Sequence, residues 1–456
     1  MVSYLARVNY RFNNRYYLTA SIRSDGSSRF GKNNRYGYFP SGSVAWRISQ
    51  EDFMKEIKWI DDLKIRASFG LTGNNNIGNY NAIGTMSTQN YVFGAGTGNV
   101  VTGAAQKSIS NADLTWEKTK QFDAGIELNV LKNRLSFVVD VYKRITTDLL
   151  LNVDIPTITG FKNAWRNIGE MNNKGLEFGI NSVNVMNKDF TWSTNFNIST
   201  NTNKVVKLGP TGDPIQSDGG AGTTHITMIG EAIGSFYGYK QIGVYMNAQD
   251  LANSPHMSDS HVGDVKFADI DGSGSIDAND RTIIGSNMPD FEWGMMNQVT
   301  YKGFDLSVLI QGVQGRDVLH LGKRFYTQME GNQNQMRTVL NRWQSESNPG
   351  DGWTPRANSL TTGQNNVVSS RWVEDASFIR INNLTLGYTL PFKLASKLSM
   401  QRARVYMSIQ NLATITDYSG YNPETSFQED SVLAPGTDYG AYPLARSFTF
   451  GVNVTF

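Results

Sequence analysis

The strongest constraint in this sequence is a period of two that returns along almost its whole length. In SFTFGVNVTF, residues 447–456, Phe448, Phe450, Val452, Val454 and Phe456 alternate with Ser447, Thr449, Gly451, Asn453 and Thr455. Successive side chains of a strand point to opposite faces, so such a run is a strand with one apolar and one polar wall. The same alternation occupies residues 6–12, 16–22, 63–69, 124–130, 135–141, 190–198, 304–310 and 405–409. Near Ile381, Asn382, Asn383 and Leu384 the apolar parity slips by one, which predicts a β-bulge. The pattern predicts an all-β chain of about 13 strands, many roughly 9 to 12 residues long, enough to cross a bilayer at a tilt.

The connections alternate in length. Tight turns are expected at Asn13-Asn14, Lys132-Asn133, Asn187-Lys188 and Lys302-Gly303, whereas residues 73–115, 201–289 and 314–376 read as long polar stretches. Short turns at one end and long loops at the other suit an antiparallel, up-and-down transmembrane β-barrel. Hydrophobic residues make up only 39% of the chain, yet it carries 23 Phe, 20 Tyr, 9 Trp and 44 Gly, a mixture suited to a wall of alternating strands. A net charge of +2 gives no reason to expect a nucleic-acid partner. With no cysteine, disulfides and thiol chemistry are excluded. The first residues, MVSYLARVNYRF, lack the basic start and apolar core of a signal peptide, and no run approaches the roughly 20 apolar residues of a membrane helix.

Soluble β-sandwiches alternate too, so the solvent of the apolar wall has to be argued. Three features favour lipid. The polar wall is rich in Asn, Ser, Thr, Arg and Lys, as a hydrated lumen would be. Aromatics gather near strand ends (Tyr16, Tyr17, Trp46, Tyr142, Trp192, Trp293, Tyr301 and Tyr388), as interfacial girdles do. The chain also stops on Phe456 in mid-alternation.

Several runs carry a more specific signal. SYLARVNYRFNNRYYLTASIRSDGSSRFG, YGYFPSGSVAWRISQEDFM, LKIRASFGLTGNNNIGNY, LTWEKTKQFDAGIEL, FVVDVYKRITTDLLL, NIGEMNNKGLEFGI, FIRINNLTLGYTLP and VYMSIQNLATITDYSGYNPE follow one another in that order. Together they resemble the SusC/RagA-like TonB-dependent outer-membrane transporters of Bacteroidetes-type bacteria, over essentially all of residues 1–456. The resemblance implies the C-terminal portion of a 22-stranded family barrel, without its plug domain. It implies import of oligosaccharides or peptides across the cell outer membrane, with a SusD-like lipoprotein as lid and TonB pulling on the plug. Phe456 resembles the C-terminal signal read by the barrel-assembly machinery, with outer-membrane lipid as the surrounding solvent. Read this way, the chain is a piece of a longer protein, and transport belongs to that parent. The alternative is a soluble or cell-surface all-β binding module with a dockerin-like calcium loop.

That loop is DIDGSGSIDAND, residues 269–280, within the long extracellular stretch 201–289. Oxygen-bearing side chains fall at positions 1, 3, 5, 9 and 12 (Asp269, Asp271, Ser273, Asp277 and Asp280). Gly274 holds the sharp turn at position 6, and Ser275 would offer its carbonyl at position 7. This is EF-hand spacing, nearer the dockerin variant because Asp stands at position 12, and it predicts structural Ca²⁺, with Mg²⁺ as the alternative. The other candidates are weaker. Glu117, Asp123, Glu127 and Asp140 could be paired for glycosidase chemistry, but inward charges in a lumen explain them as well. His225, His256, His261 and His320 are scattered without ligand spacing and read as loop residues, and the GTGNV and DGSGS runs lack a phosphate loop's context. Among the loop aromatics that could stack on sugar rings, Tyr418 and Tyr421 are the candidate substrate contacts. No enzyme activity is expected.

Overall fold

A computed structural model describes all residues except 95–97, 210, 360–363 and 428–430, and therefore leaves part of the GTGNV run outside the described residues. Thirteen long strands belong to its main sheet. They are β1 (Val2–Phe12), β2 (Tyr16–Gly26), β3 (Tyr36–Arg47), β4 (Ile60–Asn74), β5 (Glu117–Val130), β6 (Leu135–Thr147), β7 (Glu170–Met186), β8 (Phe190–Lys207), β9 (Phe291–Tyr301), β10 (Phe304–Gln314), β11 (Phe378–Thr389), β12 (Arg402–Thr416) and β13 (Ser447–Thr455). The described chain divides into two compact units. One comprises residues 1–182, 201–215 and 228–230; the other comprises 183–200, 216–227 and 231–456.

In the first unit the period of two becomes two walls. Antiparallel register places Tyr10, Leu18, Val44, Ala67, Ala124, Val141 and Leu176 in one row across seven strands. The next apolar row runs Phe12, Tyr16, Trp46, Ile65, Ile126, Val139 and Phe178. Leu18, Val44, Ile65, Ile126, Val141 and Leu176 are all exposed, so this wall is turned away from the buried clusters of the fold. Between the two lies the opposite parity: Arg11, Tyr17, Ala45, Arg66, Gly125, Asp140 and Glu177.

The second unit repeats the scheme. Trp192, Val299, Leu306, Leu386, Met407 and Phe450 form an apolar row. Beside the short turns stands an aromatic belt of Phe190, Tyr301, Phe304 and Tyr388, with ring centroids 6.3 Å apart for the first pair and 4.5 Å for the last. On the far side of the Trp192 row, the next polar row is Ser193, Gln298, Ser307, Thr385, Ser408 and Thr449.

The expected turns are present. Asn13 and Asn14 have φ of 46° and 56°, Lys132 and Asn133 59° and 58°, and Lys302 and Gly303 48° and 92°. Asn tolerates this left-handed region better than most side chains, and Gly is indifferent to it. The predicted bulge is also present: pairing of β11 with both β10 and β12 shifts between Ile381 and Asn383, so that Asn382 is the extra residue against β10, while on β12 Asn411 and Leu412 lie opposite it. One boundary needs correction. The stretch expected to be loop from residue 201 begins as strand, because β8 runs on to Lys207. Its 18 residues, at about 3.3 Å each, outrun an apolar band of about 25 Å even when tilted, so β8 extends past the membrane zone.

The long connections are folded rather than loose. Phe30, Phe39, Ile77, Leu114, Trp116 and Leu150 make a buried cluster in the first unit, and the Trp116 indole donates to the Arg35 carbonyl at 3.1 Å. In the second unit Phe236, Leu319, Leu321 and Trp372 form a core with no measurable exposure.

Candidate functional site

Three sets of polar side chains could do chemistry or recognition. The first is the charged patch on the polar wall of the first unit. Arg66 stands 2.6 Å from Asp140, 3.2 Å from Asp123 and 3.0 Å from Glu127, while Lys64 also reaches Glu127 at 3.1 Å. The Arg66 Nε contact with Glu127 is an ion pair without hydrogen-bond alignment, and Nε and Asp140 Oδ1 remain without a bonded partner. Asp123, Glu127 and Asp140 are thus gathered around one guanidinium. Glu117 lies apart from them, its carboxylate accepting from Asn74 and from the Leu150 amide. Glycine makes room for the patch: a Cβ at Gly125 would stand 2.0 Å from Asp140 Oδ1. The second unit uses the same device, where Gly387 leaves space for the Arg404–Asp305 pair.

The second set is the loop at 269–280. Asp269, Asp271 and Asp280 bring carboxylate oxygens within 4.8 Å of one another, and Asp280 is fully buried. Gly274, at the predicted turn, has φ of +83°. Asp269 accepts backbone N–H groups from Gly272 and Gly274 at 2.8 and 2.9 Å, and Asp280 accepts those of Ile270 and Asp277, both at 2.7 Å. Burial raises the pKa of the Asp280 carboxyl, but these backbone donors outweigh it and hold it below its ordinary value. The other three predicted ligands point elsewhere. Asp277 caps a short 3₁₀ turn by accepting from Asn279 N, and Ser273 Oγ donates to the Ser275 carbonyl that was expected to face a cation. The carboxylate positions 1, 3 and 12 therefore fit a hard cation, while positions 5, 7 and 9 are engaged within the loop.

The third set lines a cavity of about 720 Å³ in the second unit. A short strand, Asp317–His320, pairs with Val373–Asp375 on one side and with Thr437–Asp438 on the other, and the helix Lys323–Thr327 follows it. These elements collect His320, Lys323, Tyr326, Arg371 and Asp438 at the cavity wall, with Met336, Val339, Trp353 and Tyr421 completing it. Glu374 ties the wall together. Its carboxylate accepts from Lys323 Nζ at 2.7 Å, the Ser419 hydroxyl at 2.9 Å and the Ser419 amide at 3.0 Å, and it lies 3.4 Å from His320 Nδ1. Burial pushes the Glu374 carboxyl upward, but His320, Lys323 and the Ser419 amide win, and it sits well below the usual carboxylate range. Tyr326 shares a 2.9 Å hydrogen bond with His320 Nε2, and burial raises its phenol to about 12. Arg371, lowered to about 10 by burial, donates to the carbonyls of Asn365 and Thr327.

The two tyrosines predicted as substrate contacts part company here. Tyr418 is 5% exposed and donates its hydroxyl to Asp438 Oδ2 at 2.6 Å; burial and that carboxylate push its pKa above the ordinary tyrosine range. It is a wall element, not a stacking surface. Tyr421 is 76% exposed and lines the cavity. His225 and His320, expected as loop residues, are instead buried in the short strands Thr223–Thr227 and Asp317–His320. Phe456 follows β13 and is exposed. Sequence reading missed the Lys323–Glu374–Ser419 cluster, whose members lie far apart along the chain; the Tyr-Ser-Gly-Tyr run at 418–421 was its one visible trace.

Residues 3–412 match the family described as TonB dependent receptor-like, beta-barrel. The chain belongs to this family, whose members are transporters of the outer membrane. Within it the likeness is to SusC-type receptors. The chain is 40% identical to TonB-dependent receptor P3 of Formosa agariphila and 32% identical to TonB-dependent receptor SusC of Bacteroides thetaiotaomicron, covering all of this chain and 45% and 44% of those proteins. The solved structure of the RagAB peptide transporter superposes with a TM-score of 0.84 at 29% identity, over all of this chain and 47% of that one. The chain thus spans a little under half the length of the relatives it matches. Family membership displaces the alternative of a soluble all-β module.

Proposed function

We propose that this chain is part of an outer-membrane, TonB-dependent importer of oligosaccharides or peptides that works with a SusD-like surface lipoprotein. The observation that carries this reading is the pair of walls. Exposed apolar rows cross the strands on one parity, and a hydroxyl-, amide- and charge-bearing ladder occupies the other. In water such an apolar surface would drive aggregation, whereas in a bilayer it is the required exterior. Family membership and the likeness to the RagAB peptide transporter support import as the task. The partners follow from the same reading: TonB, the barrel-assembly machinery and lipid. The test is fractionation of the producing cells, followed by uptake of labelled glycans and peptides with and without the gene. Clean release into buffer, or uptake unchanged by deletion, would refute it.

In the same reading, Asp269, Asp271 and Asp280 hold a structural Ca²⁺ that braces the extracellular segment. The convergence of three carboxylates supports this. Removing Asp269 and Asp271 as alanines should abolish calcium-dependent protection of residues 260–290 from protease. Equal cutting of the parent chain in calcium and in chelator would end the proposal.

A further inference from the structure

We infer that the apolar wall of the first unit carries, at its long-connection end, a site for a phosphate-bearing lipid headgroup, formed by Lys118, Lys120, Lys143 and Lys174. The site rests on the reading that this wall faces lipid, and adds a specific contact to it.

Parity puts all four lysines on the apolar wall. On β5 the series Ile126, Ala124, Phe122 continues into Lys120 and Lys118; on β6 Val139 and Val141 continue into Lys143; on β7 Phe178 and Leu176 lead back to Lys174. β1, β2 and β3 have no charged residue on the same parity, so the basic group is confined to three adjacent strands. It lies toward the connections 75–116 and 148–169 and away from the short turn at Lys132 and Asn133. From Leu135, beside that turn, Lys143 is about 26 Å away along β6, which is about 20 Å of depth at a tilt of 35–45°. The apolar band of such a wall is about 25 Å tall, so the lysine stems carry their ammonium groups to headgroup level.

The arrangement of the lysines calls for an anion. Lys143 and Lys174 stand directly opposite each other in register, and Lys120, level with Ile145, is on the neighbouring diagonal. Like charges directly opposite on paired strands are destabilising. Lys120, Lys143 and Lys174 are exposed and have no carboxylate partner among the described residues, while Lys118 reaches Asp148 at 3.9 Å. Glu170, the acidic residue on this parity of β7, shares its row with Lys118 across Thr147 and is not opposite the pair. A phosphate over Lys143 and Lys174 offsets their repulsion. Phe69 and Phe122 continue the same row, and Val141 and Leu176 lie in the next, so the acyl chains below the phosphate meet apolar surface. Free phosphate lacks that second contact, which makes lipid the occupant.

The test uses the full-length protein in non-ionic detergent, titrated with phosphatidic acid, with phosphatidylcholine of the same acyl chains and with inorganic phosphate, bound lipid being counted by native mass spectrometry. Phosphatidic acid should be retained over phosphatidylcholine, less so as salt is raised. Lys143→Gln and Lys174→Gln should each weaken it about five-fold and together about 25-fold, the share of one lysine at an anionic lipid surface. Lys132→Gln, in the short turn, and the double arginine variant at 143 and 174 should bind as the parent does. Without lipid, the double glutamine variant should unfold no earlier than the parent, since it loses a like-charge pair; earlier unfolding would make the lysines structural and overturn the site. Equal retention of the two lipids, or unchanged affinity in the double glutamine variant, overturns it as well, and displacement by inorganic phosphate at equal concentration overturns lipid as the occupant. Release of the protein into buffer defeats the lipid-facing wall and the importer with it, whereas a membrane-bound protein indifferent to the headgroup defeats this site alone.

Discussion

Substituting Gly125 by alanine tests whether the polar wall is built around its charged patch. An ideal Cβ there would lie 2.0 Å from Asp140 Oδ1, 3.0 Å from Asp140 Cγ and 3.1 Å from Arg66 Cζ. Asp140 is 9% exposed and its side chain is short, so it can escape only by leaving Arg66 Nη2, now 2.6 Å away. Arg66 is about a third exposed and keeps Asp123 and Glu127, so on its side the loss is one charge-assisted hydrogen bond, about 1–2 kcal/mol. Asp140 retains no other ion-pair partner among the described residues, and a buried carboxylate left so costs about 1–3 kcal/mol. Replacing a strand glycine by alanine returns about 0.5–1 kcal/mol. The net is a destabilisation of about 3 kcal/mol, within a range of about 1 to 4.5. Urea unfolding in detergent, followed by tryptophan emission, measures it. The decisive comparison is Gly125→Ala in an Asp140→Ala background, where the contacts with the Asp140 carboxylate are gone, only the flexible Arg66 side chain has to give way, and the substitution should be neutral or mildly stabilising. Equal effects in both backgrounds would show that the two residues are not coupled and refute the reasoning.

Three further outcomes can be checked. Ile126→Arg, on the apolar wall, should lower stability by about 2–4 kcal/mol if it lies near the bilayer midplane, whereas Ser68→Arg on the polar wall, facing Asp123 in register, should fold normally; heat-modifiable gel migration distinguishes the two, and equal loss would contradict the assignment of walls. Burial holds the His225 imidazole at about 4 against 6.5 when free. The unfolded chain therefore binds the proton first, so this residue's stabilisation is complete above pH 6.5 and drains away as pH falls toward 4. His225→Phe should flatten the unfolding midpoint across that interval, and an unchanged slope would remove His225 from the account. Trp116→Ala should cost about 3–5 kcal/mol locally and speed proteolysis within residues 73–115, because it empties the centre of a cluster that pins that segment; cutting at the parental rate would argue against it.

What was legible in the sequence follows from the range of the interactions that encode it. The strands, turns and bulge at Asn382 are local: period two, left-handed Asn and Gly, and a one-residue slip are all read within a few positions. The site at residues 320–326, 353, 371–374, 418–421 and 438 is not local. Tyr418 reads like Tyr421 in the run Tyr-Ser-Gly-Tyr, and contacts with the distant Val318, Ala376, His320 and Asp438 bury one while the other stays exposed. The loop at 269–280 shows a different ambiguity. An acidic residue at 277 followed by another at 280 is positions 9 and 12 of a calcium loop, but the same spacing is that of a capping box, with an N-cap carboxylate and a second carboxylate three residues on. In the folded loop Asp277 and Asp280 form that box, and Asp280 nevertheless remains beside Asp269 and Asp271. One pair of residues can thus begin a 3₁₀ turn and leave a single carboxylate turned toward a cation position. Spacing alone supports both uses, and the calcium-protection experiment separates them, because a cap holds without calcium and a ligand cluster does not.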